Sequence, residues 1–113
     1  MKRLFLAGML ATPLAVSGHH GWSEYDSAKG VKLTGKIVES GYEHPHGHIR
    51  FEAPGKTWTV TLAPPSRMEN RGLPREWLKA GATATVEGYP NRNKPDEMRA
   101  ERITVDDKTV ELR

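Results

Sequence analysis

Apolar and polar residues alternate along most of the chain. Val31, Leu33 and Ile37 alternate with Lys32, Thr34, Lys36 and Val38. Ile49, Phe51 and Ala53 alternate with Arg50 and Glu52, and Trp58, Val60 and Leu62 with Thr57, Thr59 and Thr61. Ala82, Ala84 and Val86 alternate with Thr83, Thr85 and Glu87. Successive side chains of a strand point to opposite faces, so each run predicts a strand with one buried face. A fifth strand is expected over residues 98–105, where the apolar parity changes between Ala100 and Ile103 and implies a bulge. Residues 109–112 read as a short edge strand.

Pro54-Gly55 predicts a tight hairpin between the second and third strands, and the segment from Pro90 to Pro95 separates the fourth from the fifth. Between the third and fourth strands, Ser66 to Arg71 follows Pro64-Pro65 and precedes Gly72, which predicts one or two helical turns. Five short strands with a helix between the third and fourth is the order of an OB-type barrel. The expected fold is therefore all-β with one short helix, a small OB-like barrel of five to six strands. An open meander and a small sandwich are the competing layouts.

The first 18 residues have a different character. Lys2 and Arg3 precede an uncharged apolar run from Leu4 to Val16, and the small residues Ser17 and Gly18 follow. That is the order of a secretory signal peptide. The 13-residue run is shorter than the roughly 20 residues that a spanning helix needs. The expected organisation is a cleaved signal peptide over residues 1–18 and one domain over residues 19–113, working in the periplasm or outside the cell. Losing Lys2 and Arg3 lowers the formal net charge of +3 by two. The remaining near-neutral domain argues against nucleic acid as a partner. The chain has no cysteine, which excludes disulfides, thiolate metal sites and a cysteine nucleophile.

The five histidines fall into two clusters, His19-His20 and His44-Pro45-His46-Gly47-His48. Strand parity sends Ile49, Phe51 and Ala53 inward, so His46 and His48 share the outward face with Arg50. Residues two apart on a strand lie ~6.6 Å apart and point the same way, close enough to share one ion. His44 precedes Pro45, which favours extended backbone, and Gly47 marks a potential bulge. Cleavage after Gly18 makes His19 the new N-terminus; cleavage after Ser17 yields Gly18-His19-His20. Either product sets a terminal amine beside imidazoles, and such nitrogen donors suit Cu(II), then Ni(II). Zn(II) is the alternative, with three imidazoles and Glu24, Asp26 or Glu43 as a further ligand.

Other residues carry weaker signals. Trp22 and Tyr25 read as anchors for the N-terminal segment, and Trp58 as core. Arg67, Arg71, Arg75, Arg92, Arg99 and Arg102 are interspersed with Glu69, Glu76, Glu97 and Glu101, the pattern of a solvated mixed-charge surface. There is no nucleophile elbow, phosphate loop or dinucleotide fingerprint.

Several of these pieces together resemble a known family. They are His19-His20-Gly21-Trp22 with Tyr25-Asp26, then Leu33-Thr34-Gly35, then Pro45-His46 ahead of Ile49. Trp58, Pro64 to Leu73 with Arg71-Gly72, Leu78-Lys79-Ala80-Gly81 and Gly88-Tyr89-Pro90 with Arg92 follow. In this order they are similar to the small exported bacterial proteins grouped as domain of unknown function 6152, over roughly residues 19–112. Two departures stand out. His44 replaces the asparagine usual before the Pro-His pair, and Thr59 and Thr61 occupy a stretch that commonly carries an acidic residue. The resemblance implies export, a compact β-barrel and a role for His19, His20 and His46; it implies no reaction.

The leading expectation is a non-enzymatic periplasmic protein that binds a divalent metal, foremost Cu(II), through His19, His20, His44, His46 and His48, for sequestration or delivery. The second is an envelope interaction module that docks a protein or anionic ligand, its histidines incidental. The third is a copper oxidase with an N-terminal histidine brace, which a barrel this small leaves with little substrate cleft.

Overall fold

The computed structural model describes residues 21–113. The expected signal peptide, and His19 and His20, lie outside the described residues. The elements are β1 (Val31–Gly41), β2 (His48–Ala53), β3 (Lys56–Thr61), α1 (Pro65–Asn70), β4 (Thr83–Pro90), β5 (Glu97–Val105) and β6 (Lys108–Glu111). Short 3-10 turns cover Trp22–Glu24 and Arg75–Leu78. Each alternating run in the sequence became a strand, and the proline-flanked segment became the helix.

The strands form one sheet in the order β3-β2-β1-β4-β5-β6. All neighbouring pairs are antiparallel, and the ends meet through a parallel pairing of β3 with β5 (Thr59 with Glu97, Val60 with Met98, Thr61 with Arg99). The result is a closed five-stranded OB-like barrel with β6 added at its edge. Barrel closure removes exposed strand edges. β6 retains one edge, and α1 tends it: Arg67 Nη1 donates to the Leu112 carbonyl (2.9 Å) and Arg71 Nη1 to that of Glu111 (2.7 Å).

Inward residues from every strand fill the interior. Ile37, Phe51, Ile49, Val60, Val86 and Ile103 are all at most 1% exposed, and Met68 of α1 joins them. The parity change in β5 is a bulge as expected. Glu87 pairs with Arg102 and Gly88 with Ala100, leaving Glu101 as the extra residue. At Gly88 the strands approach so closely that a Cβ would overlap the Arg99 carbonyl. A second bulge in β1 turns Val38 to solvent. Trp58 is only partly buried, with Lys56 Nζ 3.9 Å above its ring. It precedes the point where β5 begins to pair with β3, so no strand covers that flank.

Candidate functional site

Three chain segments meet over the β3–β5 seam. The first is the N-terminal stretch. Tyr25 is 5% exposed and bridges to Asn91. Asp26 N–H donates to the Pro90 carbonyl, and Arg92 N–H to that of Glu24, both at 2.9 Å. Trp22 meets Tyr89 edge-on, with ring centroids 6.1 Å apart. Its ring also has the guanidinium carbons of Arg99 at 4.3 Å and Arg113 at 4.4 Å. Trp22 and Tyr25 are thus the anchors that their place in the sequence predicted.

The second segment is the loop from residue 42 to residue 47. Gly47 continues the ladder beside β3's exit: its N–H donates to the Ala63 carbonyl and its carbonyl accepts from Leu62, both at 2.8 Å. A Cβ at Gly47 would stand 2.6 Å from Met68 Cε, the movable end of that side chain, and 3.2 Å from the Gly41 carbonyl. The third segment is the loop from residue 91 to residue 96. Asn91 Oδ1 accepts from the N–H groups of Asn93 (2.8 Å) and Lys94 (3.0 Å), and Lys56 Nζ donates to the Pro95 carbonyl (2.7 Å). Both loops are tied down by local hydrogen bonds.

Between the three lies a cleft of about 430 Å³. Glu24 and Tyr25 line it from the N-terminal segment, and Pro45, His46, Gly47 and His48 from the first loop and the start of β2. Thr59 and Thr61 of β3 contribute hydroxyls, and Lys94 and Glu97 complete the other end. Lys94 Nζ lies 4.0 Å from Glu97 Oε2. In OB folds this location, over strands two and three and between the first and fourth interstrand loops, is where ligands bind.

The predicted ligand residues separate here. His46 and His48 are half-buried and line the cleft together. His44 is exposed and does not line it. Of the further zinc ligands expected, Glu24 lines the cleft, while Glu43 packs with the His48 ring against Gly41. Asp26 accepts from Ala28 N–H at 3.1 Å instead. Among the described residues, no three His, Asp or Glu side chains stand close enough to hold a metal ion between them.

Arg99 was not visible as a site residue. It is 7% exposed, its guanidinium beneath Trp22, with Nη2 3.4 Å from His46 Nε2. Arginine carries donors only, so in this contact the imidazole nitrogen is the acceptor. Burial lowers the Arg99 pKa from its ordinary value. Its place among interspersed arginines and glutamates suggested a solvated surface; Trp22 of the N-terminal segment and His46 of the first loop lie against it instead.

A family model described as a family of unknown function, DUF6152, matches residues 8–98. No curated protein matches the chain. Among solved structures, a complex of TiaS with an isoleucine tRNA and ATP is similar at TM-score 0.53 and 18% identity, covering 79% of this chain and 20% of that one. A ZRD-deleted mutant of TiaS in complex with agmatine is similar at TM-score 0.55 and 15% identity, covering 77% and 27%. This chain therefore spans only about a fifth to a quarter of those proteins, and the likeness shows the barrel fold. Among the described residues no helix is long and apolar enough to cross a membrane.

Proposed function

The chain belongs to this DUF6152 family of unknown function, which supplies no reaction, and from its N-terminal sequence and the cleft together we propose that it is an exported, non-enzymatic protein that binds a divalent metal, foremost Cu(II). His19, His20 and His46 are the principal donors, with His48 in the same cleft and His44 at its margin. One observation carries the reading: Glu24 and Tyr25 line the cleft that His46 and His48 line. The histidine pair ends one residue before Gly21. Consecutive Cα atoms are 3.8 Å apart, so a donor so close in sequence has the covalent reach to join that cleft.

The donor set fits a cation. Glu24 and Glu97 set carboxylate oxygens in the same lining as the two imidazoles, donors that suit a cation. The described side chains are too few for a closed site, so the N-terminal histidines are required rather than auxiliary. Arg99 opposes a second positive charge at His46, and a metal bound at His46 Nε2 takes the place of the Arg99 contact. Among divalent ions, Cu(II) forms the strongest bonds to nitrogen donors and is best able to overcome that repulsion. Zn(II) and Ni(II) are the weaker candidates. The role is sequestration or delivery.

The test is calorimetric titration of protein recovered by export, its N-terminus defined by intact mass. Stoichiometric Cu(II) binding tighter than about 1 μM is expected. His19→Ala with His20→Ala should abolish it, and His46→Ala should weaken it at least about tenfold, or ~1.4 kcal/mol. Unchanged affinity in the triple variant would end the proposal.

A further inference from the structure

We infer that the outer face of α1 binds a phosphate group, with Arg67 and Arg71 as its principal donors. The site shares no lining residue with the cleft and does not need the metal reading. It is a recess of about 350 Å³, lined by Pro64, Ser66, Arg67, Asn70 and Arg71. At ~3.6 residues per turn, Ser66 with Asn70 and Arg67 with Arg71 form two stacked pairs on neighbouring ridges of the helix. Glu69 falls on the opposite side, where its charge, after burial, adds to the rise in the Tyr42 pKa. The recess therefore presents two guanidiniums, a hydroxyl and a carboxamide, and no carboxylate side chain.

Both arginines are held in place without losing their charge. Arg67 Nη1 donates to the Leu112 carbonyl at 2.9 Å. Arg71 Nη1 donates to the main-chain oxygens of Glu111 at 2.7 Å and Arg113 at 3.1 Å. A guanidinium has five N–H groups, so each keeps donors for a ligand. Among the described residues, neither Arg67 nor Arg71 is ion-paired with a carboxylate side chain, whereas Arg102 is held by Glu87, Glu101 and Glu111. Little ordering of the arginines is left for binding to impose.

Fixed cations flanked by neutral donors select an oxyanion. A phosphate monoester carries a charge of about −1.5 to −2 and three acceptor oxygens, where a carboxylate has two oxygens and a single charge. Arg67 and Arg71, one turn apart, can each take one oxygen of a phosphate, and the Ser66 hydroxyl or Asn70 amide a third. A metal cation is repelled here, and an apolar ligand would strip water from two charges. The volume lies within the ~300–1,000 Å³ usual for small-ligand sites, which leaves space for the group that carries the phosphate. A soluble phosphate and a phospholipid headgroup present the same chemistry.

The experiment is an amide chemical-shift titration of the metal-free exported protein with inorganic phosphate and glycerol 1-phosphate, with acetate for comparison. At least one phosphate should give saturable shifts centred on residues 64–71 and 111–113, with Kd below about 5 mM, and acetate should bind at least about tenfold more weakly. Arg67→Gln with Arg71→Gln should raise the phosphate Kd at least about tenfold. Those arginines also hold the end of β6, so Ser66→Asp with Asn70→Asp provides a variant that keeps both. It should weaken phosphate as much, at an unchanged Tm. His19→Ala with His20→Ala should leave phosphate affinity as it is, so failure of the metal reading and failure of this one are read separately. A second arm sediments the protein with phosphatidylcholine vesicles with and without phosphatidylglycerol. Pelleting that needs phosphatidylglycerol and is lost in Ser66→Asp with Asn70→Asp, without saturation by the soluble phosphates, identifies a lipid headgroup as the source and supports the site. No saturation at about 20 mM together with no such pelleting overturns the inference. So does acetate binding as tightly as phosphate at the same amides, or full phosphate affinity in the aspartate variant.

Discussion

Replacing Trp22 by alanine tests how the N-terminal segment is held at the cleft. The indole makes one edge-on contact with Tyr89, worth about 0.5–1.5 kcal/mol. It also lies against two guanidiniums, at 4.3 and 4.4 Å, each worth about 0.5–1 kcal/mol where partly exposed. Arg113 is exposed and Trp22 half-buried, so the lower part of the combined range applies, about 2 kcal/mol. For a domain of this size that is a fall in Tm of roughly 8–16 °C. The Tyr25–Asn91 bridge and the backbone bonds of Asp26 and Arg92 remain, so the barrel should still fold. Urea unfolding followed by far-ultraviolet circular dichroism is the right assay, because the mutation alters tryptophan fluorescence itself. Trp22→Phe, which keeps a ring in the socket, should recover about half the loss. A Trp22→Ala variant within about 0.5 kcal/mol of the parent, at equal denaturant slope, would refute the idea that this ring clamps the segment.

Three further outcomes follow from the same geometry. Asn91→Ala removes the acceptor for two loop amides and should cost about 1–2 kcal/mol, with faster hydrogen exchange confined to Asn93 and Lys94. Gly88→Ala forces a Cβ onto the Arg99 carbonyl at the bulge and should cost about 2 kcal/mol or more in a thermal melt, while Gly21→Ala, whose Cβ meets nothing within 4 Å, should be neutral. Alkaline pH should destabilise the protein through Tyr89 and Tyr42. The hydrogen bond to Glu101 raises the pKa of Tyr89, and burial raises that of Tyr42. The folded chain then holds these protons to higher pH than the unfolded chain, whose phenols titrate near ~10. Their contribution is complete below that pH and lost as pH climbs through the folded values, so Tyr42→Phe with Tyr89→Phe should flatten the fall in urea midpoint above about pH 10.

Much of this architecture is local chemistry and so was legible along the chain. Period-two alternation marks strands because side chains of one strand must take opposite faces. The shift between Ala100 and Ile103 marks the bulge because one extra residue inverts that order. Pro54-Gly55 and the prolines around residue 65 mark the turn and the helix because proline restricts its neighbours. Trp22 and Tyr25 could be read as anchors from their size and position alone.

The site was legible only in part, because parity reports a face and not what covers it. His48 and Arg99 lie on outward strand positions, which in an isolated strand means water, and His46 sits in the loop just before β2. In the folded chain the outward face at the β3–β5 seam carries a second layer, formed by the N-terminal segment and two loops. That layer turns an exposed face into a cleft and buries a guanidinium. The pairing that builds the seam joins Thr59 to Glu97, 38 residues apart along the chain, in parallel. No residue pattern within either strand encodes that contact. It arises from closing the sheet, which satisfies the edge hydrogen bonds of both strands at once. The sequence alone determined which segments are strands, which faces they bury and where they turn; tertiary closure alone decided which distant side chains share a pocket.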